Sequence, residues 1–302
     1  LSPEAVGDAL RAAVASPGFR EDREAEIAFY GGTFTGLDRD LMEGLLVAAY
    51  RWVAHGPFRS VRVSTRPDAL DGDRLTLLKR YGVATVELGV QSMDDEVLRQ
   101  SRRGYGSREV IQAVGDLRRF GFRVGFQLMP GLPGDSPVRF LKTVERCLDL
   151  RPDLARLYPT LVLKDTVLAA WLRQGRYRPF SLDQAVDCCA GACARFEPRG
   201  VPVVRIGLLA SAELLEAGDV LAGPWHPAFG FLVRSEVMHR RIDALLSEHS
   251  GARGLRIVVH PRDVPLVRGY RNRGLRRVEQ KTRAGFLEIV QDDSRSPGTP
   301  AV

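Results

Sequence analysis

Four places in the chain bring small, hydroxyl or amide residues to the end of an apolar run. They are Gly31-Gly32-Thr33 after "EIAFY", Ser64-Thr65-Arg66-Pro67 after "SVRV", Gln91-Ser92 after "TVELGV", and Gln127 to Gly134 in "QLMPGLPG". Glycine removes the bulk that would keep a ligand off the backbone. Hydroxyls and amides supply both donors and acceptors for a polar ligand. A tight turn accounts for Gly31-Gly32 taken alone. Four run ends of this kind together read as the rim of one site.

Other chemistries find less support. From Gly31 the spacing reaches Gly36, but Leu37 and Asp38 stand where a P-loop needs Lys and Ser or Thr, and the dinucleotide spacing G-x-G-x-x-G also fails. No G-x-S-x-G elbow is present. Cys188, Cys189 and Cys193 invite a metal reading. Helical spacing instead puts Cys189 and Cys193 on an apolar stripe with Leu182, Val186 and Phe196, leaving Cys188 pointing elsewhere. Cys147 reads as structural too, and the five scattered histidines form no zinc set. No metal-ligating residue is therefore expected in this chain. Glu87 lies inside an apolar run and needs a partner if it is buried.

The elements that position these residues alternate. Strand-like runs cover 26–32, 60–67, 85–92, 123–131, 155–163 and 201–209, several of them apolar on both faces. Helical segments lie between them. One ends at Gly82, another at Gly121; one starts at Ser136-Pro137, another at Ser181 with Gln184 three residues on. A third start is read at Ser92, with an acidic residue three positions later. This order makes an α/β chain with a parallel sheet, closed as a barrel or open and doubly wound. In both cases ligands sit at the carboxyl ends of the strands, where the unusual residues are. Beyond about residue 210 the pattern weakens to a helix, two strand-like runs at 255–260 and 286–290, and a tail expected to be disordered. The chain is read as two domains, 1–210 and 211–302.

The 302 residues are 44% apolar, and no stretch is long and apolar enough to span a membrane. With no secretory leader visible, a cytoplasmic location without membrane partners is expected. Four cysteines make no disulfide scaffold in a chain of this length. The net charge is +7, and the basic residues are nearly all Arg, which suits phosphate. Solvated surface accounts for that excess equally well, so nucleic acid enters as a candidate partner class.

Taken in order, "EIAFYGGTFTGL", "VRVSTRPDAL", "VELGVQSMDDEVLRQSRRGY", "GFQLMPGLPGD", "ARLYPTLVLKDT" and "AGPWHPAFG" resemble the radical S-adenosylmethionine proteins related to the catalytic subunit of Elongator, the tRNA wobble-uridine modifier. A more distant resemblance is to oxygen-independent coproporphyrinogen oxidase. The resemblance runs from about residue 20 to about 235. It implies a partial (β/α)6 TIM-like barrel, followed here by a small C-terminal α/β extension. It implies two cofactors, S-adenosylmethionine and a [4Fe–4S] cluster, with a reducing electron donor as partner. Reductive cleavage of S-adenosylmethionine would release a 5′-deoxyadenosyl radical, with tRNA or another RNA as the candidate partner and the substrate unassigned.

Residue by residue, the resemblance implies that Gly31, Gly32 and Thr33 receive the methionine amino group through backbone atoms. Ser64 replaces a glutamate of the oxidase relative. Gln91 matches an amide near the ribose, Arg103 an arginine that pairs with the methionine carboxylate, and Gln127 a polar group near the ribose hydroxyls. Gly131 opens the loop near the adenine. No residue is assigned to catalysis itself. The family's C-x-x-x-C-x-x-C cluster motif does not occur in these residues. The expectation is that the first strand and the cluster loop precede Leu1, so this stretch alone would be inactive, and that the chain is of the shorter branch lacking an acetyltransferase domain. The alternatives are a cluster-free barrel binding S-adenosylmethionine or RNA, and an oxidase of the coproporphyrinogen type. The basic run "RGYRNRGLRR" (268–277) reads as a solvated or RNA-contacting surface.

Overall fold

Val, Ile, Leu and Phe occupy both faces of the central runs, which suits strands covered on both sides. The computed structural model describes residues 1–20, 24–208, 218–246, 254–282 and 286–302. Six strands form one sheet: β1 Glu26–Phe29, β2 Ser60–Thr65, β3 Val83–Gln91, β4 Arg123–Leu128, β5 Leu154–Leu157 and, after a short β6 at Val162–Leu163, β7 Val203–Ile206. Their order is sequential, β1-β2-β3-β4-β5-β7. The first four are parallel in register, with Glu26 beside Ser60, Thr85 beside Arg62 and Val124 beside Val86. A doubly wound sheet reverses strand order at a switch point; this one never does, so it is a curled half-barrel of the TIM type. Val61, Val63, Val86, Leu88, Val124 and Phe126 are fully buried and make the strand layer of its core.

The helices that cover this sheet are α1 Pro3–Val14, α2 Arg39–Ala54, α3 Gly72–Arg80, α4 Asp95–Gln100, α5 Ser107–Arg119 and α6 Pro137–Asp149. Their starts follow capping chemistry. The side chains of Ser2, Asp71 and Ser136 each accept from a backbone N–H of the first turn. One expected start moves. Asp94, not Ser92, caps α4, accepting from Glu96 and Val97 N–H at 3.0 and 3.2 Å. Ser92 is instead buried, with its hydroxyl 3.1 Å from that of Thr143.

The chain divides into two compact units, residues 1–156 with 200–204, and residues 157–199 with 205–302. The boundary expected at 210/211 lies outside the described residues, as do the last residue of the expected strand 201–209 and the end of the helix expected near 249. In the second unit α7 Val167–Arg173 is followed by α8 Leu182–Phe196, whose Ser181–Gln184 box forms as expected. The helix α9 Phe229–Leu246 packs on α8. Small residues let α8 be buried from Cys188 through Cys193, so Cys188 is in the core with Cys189 and Cys193 rather than apart from them. The expected strand 155–163 breaks at Pro159, and β6 pairs antiparallel with β8 Val220–Ala222. The strands β9 Leu255–Val259 and β10 Leu287–Gln291 pair in parallel; between them lie α10 Val264–Arg268 and α11 Arg273–Thr282.

The tail is held rather than loose. Ala301 exchanges both backbone hydrogen bonds with Val258 at 2.9 Å, and Gly298 N–H donates to the buried Asp263 at 2.6 Å. A composition of Ser, Pro and Gly suggested disorder, but two backbone anchors override it. Among the described residues no helix is long and apolar enough to cross a membrane.

Candidate functional site

Parallel neighbours deliver their carboxyl ends to one edge of the sheet, so the tips of β1, β2, β3 and β4 stand side by side. At the first tip, Gly31 has φ +104°, and a Cβ built on Gly31 or on Gly32 would meet nothing within 4 Å. The glycines face open space, not packing. Tyr30 to Phe34 line a cavity of about 230 Å³ together with Leu37, Leu41 and Leu45. Of the expected site residues only Gly31, Gly32 and Thr33 line it.

The second, third and fourth tips are joined by a buried polar network. Gln127 Nε2 donates to Ser64 Oγ at 3.0 Å and to Glu87 Oε2 at 3.2 Å. Both Gln127 donors are thereby used, and its carbonyl oxygen has no protein donor among the described residues. Glu87 is fully buried. It accepts from Arg62 at 2.9 Å and from the Tyr30 hydroxyl at 2.9 Å, and Arg156 Nε lies 2.7 Å from its other oxygen. Burial alone would raise the Glu87 pKa, but the hydrogen bonds of Arg62 and Arg156 outweigh it and hold the carboxyl below the usual range. Arg62 also pairs with Glu26, and the Arg156 guanidinium lies over the Tyr30 ring, 4.9 Å from its centre. Burial, with the Glu87 charge, pushes the Tyr30 phenol well above its ordinary pKa. Glu87 thus has the partners its position requires. Sequence reading flagged Glu87 but not Tyr30, Arg62 or Arg156; an arginine in a strand, facing a neighbouring strand's glutamate, is the signal that was available.

Gln91 ends β3 in a left-handed conformation, φ 64°, at an irregularity in the β3–β4 pairing. Its carbonyl accepts from Met129 N–H at 3.0 Å. Its amide folds back over Gly89, where a Cβ would lie 2.7 Å from Gln91 Nε2, so a larger residue there would displace the amide.

Arg103 stands beside this tip with Nη2 3.1 Å from Met129 Sδ. Its Nε is buried with no hydrogen-bond partner. The nearby Arg66 is bound to Asp68 and donates to the Arg103 carbonyl at 2.8 Å. Burial, aided by the Arg66 charge and opposed by Tyr105, lowers the Arg103 pKa from its ordinary value. A half-buried guanidinium with an unsatisfied N–H and no carboxylate among the described residues suits an anionic group of a ligand.

Gly131 has φ +85°, and its N–H donates to Asp135 Oδ2 at 2.9 Å; Ser136 N–H donates to Oδ1 at 2.8 Å. Burial outweighs these donors and pushes the Asp135 pKa from 3.8 to about 6. The folded chain therefore holds the proton more tightly than the unfolded one. That stabilisation is complete below about pH 4 and lost as pH rises through about 6. Asp135→Asn is expected to flatten this part of the stability profile by about 2–3 kcal/mol, read as the difference between variant and parent in urea titrations from about pH 4 to 7.

The four neighbouring strand ends thus carry an open glycine turn and an amide with a fixed donor side, and Arg103, from the connection between α4 and α5, adds a cation with no carboxylate partner among the described residues. Residues 2–147 match the Radical SAM superfamily and residues 152–239 match the Radical_SAM C-terminal domain. The chain belongs to the Radical SAM superfamily. This is an enzyme family. Among curated relatives, this Radical SAM chain is 30% identical over 177 residues to a tRNA uridine(34) acetyltransferase of Dehalococcoides mccartyi, covering 52% of this chain and 39% of that protein. It is 27% identical over 197 residues to Elongator complex protein 3 of Saccharomyces cerevisiae, covering 58% of this chain and 35% of that protein. It therefore spans well under half the length of these relatives. The solved structure of the archaeal Methanocaldococcus infernus Elp3 with an N-terminus deletion shares the fold, with a TM-score of 0.66 and 23% identity over 83% of this chain and 60% of that one.

The superfamily implies S-adenosylmethionine and an iron–sulfur cluster. The unsatisfied Arg103 Nε and the open Gly31-Gly32 backbone fit the first. The second finds no match: among the described residues no three His, Cys, Asp or Glu side chains converge as a metal site, and all four cysteines are buried. Burial raises the thiol pKa of Cys147, Cys189 and Cys193, the reverse of what a ligand thiolate needs. No step is assigned through the cluster.

Proposed function

We propose that the β1–β4 tips form the S-adenosylmethionine site of a radical enzyme acting on tRNA. The observation that supports this most directly is Arg103, a half-buried cation with an unsatisfied N–H at the rim of four aligned strand ends. In this reading Arg103 pairs with the methionine carboxylate. Gly31, Gly32 and Thr33 leave the backbone approachable for the amino group. Gln127, its donors occupied by Ser64 and Glu87, offers its carbonyl oxygen to a ribose hydroxyl. Gln91 closes the third tip, and Gly131 starts the loop beside the adenine. When bound and supplied with an electron from a reducing partner, the cofactor contributes hydrogen-abstracting radical chemistry; the residues named here bind and orient it. The tRNA substrate is supported by the relative named tRNA uridine(34) acetyltransferase.

Equilibrium dialysis with S-adenosylmethionine tests the reading. Arg103→Ala is expected to weaken binding roughly 10- to 100-fold, the worth of a charge-assisted hydrogen bond to a ligand, while Arg103→Lys loses less. Equal affinity for parent and Arg103→Ala would remove Arg103 from the site and the reading with it.

A further inference from the structure

The run 268–277 lies outside the strand-tip site, and α11 sorts its cations by face. Arg277 donates to Glu236 at 2.6 Å and to Asp243 at 2.5 Å, and Lys281 lies 2.9 Å from Asp243. These pairs fasten α11 to α9. Arg268, Arg271, Arg273 and Arg276 are exposed, and none has a carboxylate partner among the described residues. Arg276 turns back to donate to the Arg271 carbonyl at 2.7 Å. The Arg271 guanidinium lies over the Tyr270 ring, 5.3 Å from its centre, and that ring meets His226 edge-on at 5.0 Å.

The backbone here is held in a costly shape. Arg271 (φ 53°) and Asn272 (φ 58°) are consecutive left-handed residues without glycine. The conformation is costly for arginine and milder for asparagine, and such strain persists where the surroundings impose it, most often at ligand sites. The surroundings are visible. A Cβ on Gly274 would lie 2.1 Å from the buried His239 Nε2 and 2.3 Å from the Val267 carbonyl oxygen, and one on Gly269 would lie 3.2 Å from Ser235 Oγ. The turn is fixed before any partner arrives.

We propose that this turn is an RNA-contacting surface, with Arg268, Arg271, Arg273 and Arg276 taking phosphates and the half-exposed Tyr270 ring among them. It deepens the tRNA reading above by naming a surface for that partner, and rests on that reading only for the identity of the RNA. Arginine's planar fork matches paired phosphate oxygens. An acidic protein or an anionic lipid would answer to the charge alone. The aromatic ring among the cations favours an unstacked base as well as a backbone, which is RNA's combination.

The test is fluorescence anisotropy of a labelled tRNA transcript against the full-length protein, over about 50–300 mM KCl. Arg271→Ala/Arg273→Ala/Arg276→Ala is expected to bind about 30- to 100-fold more weakly near 0.1 M salt, with the salt slope reduced by about 2–3. The same three changes to Lys keep most of the slope. Arg273→Glu alone, at an exposed residue, is expected to lose about 10-fold and repeats the test with a single change. Unchanged affinity and slope overturn the proposal. So does loss of binding to phosphatidylglycerol vesicles with tRNA binding intact. S-adenosylmethionine affinity, measured on the same samples, is expected to stay the same in all variants. A parent protein that binds no S-adenosylmethionine counts against the strand-tip site and leaves this result standing.

Discussion

Glu87→Ala is expected to lower the unfolding free energy by about 3–5 kcal/mol, because it strands buried positive charge. Arg62 keeps Glu26 after the change, but Arg156 loses the carboxylate that its Nε approaches at 2.7 Å. Water makes up only part of the difference, since Glu87 is fully buried and the Arg62 and Arg156 side chains are 13% and 16% exposed. The urea midpoint should drop with little change in slope. Glu87→Gln keeps the shape and some hydrogen bonds, and is expected to cost about half as much. The acid limb provides a second reading. A carboxyl held below its ordinary pKa stabilises above the unfolded value and loses that contribution as pH falls through the folded one. Glu87→Gln should therefore make stability less sensitive to pH below about 4.5. A variant as stable as the parent would mean that the two arginines need no buried counter-charge.

Gly274→Ala carries the other large expected effect. Its added Cβ would lie 2.1 Å from His239 Nε2 and 2.3 Å from the Val267 carbonyl oxygen, two atoms that are 2.9 Å apart and bonded to each other. One obstacle is backbone and the other a buried ring, so neither moves without disturbing the contact of α9 with α10. A cost of about 3 kcal/mol is expected, at the upper end for overpacking, together with loss of the His239–Val267 bond. Thermal unfolding measures the first, and the His239 ring resonance in NMR reports the second. Burial already lowers the His239 pKa, so the parent ring is neutral near pH 7; in Gly274→Ala a displaced, hydrated ring should titrate closer to the ordinary histidine value.

Much of the half-barrel was legible because its strands are apolar on both faces and end in glycine, amide or hydroxyl residues. That pattern indicated the strand order, and the sequential pairing observed decides for a half-barrel over a doubly wound sheet. The strand ends were placed correctly as neighbours. What they bind to one another was not legible. Gln127 reaches Ser64 and Glu87 across two strands, and Arg156 reaches Glu87 from β5, partnerships that only the curl of the sheet creates. Local rules failed where a tertiary contact outbid them. Ser92 would cap a helix in isolation, but Thr143 and a buried position claim its hydroxyl, and Asp94 takes the cap. The arginines show the same limit most sharply. Nothing in "RGYRNRGLRR" tells Arg277, which is a fastening, from Arg276, which is free of any carboxylate among the described residues; only the acids of α9 separate them.

The sequential order of β1 to β4 also sets a ruler. Adjacent strands stand about 4.8 Å apart, so four tips make a row about 15 Å long. A compact metabolite would touch one or two rungs of it. An elongated one, with a charged group at one end and a flat ring at the other, would lie crosswise and touch all four. Damage at Gly31 and damage at Gly131 would then be felt by opposite ends of the same guest.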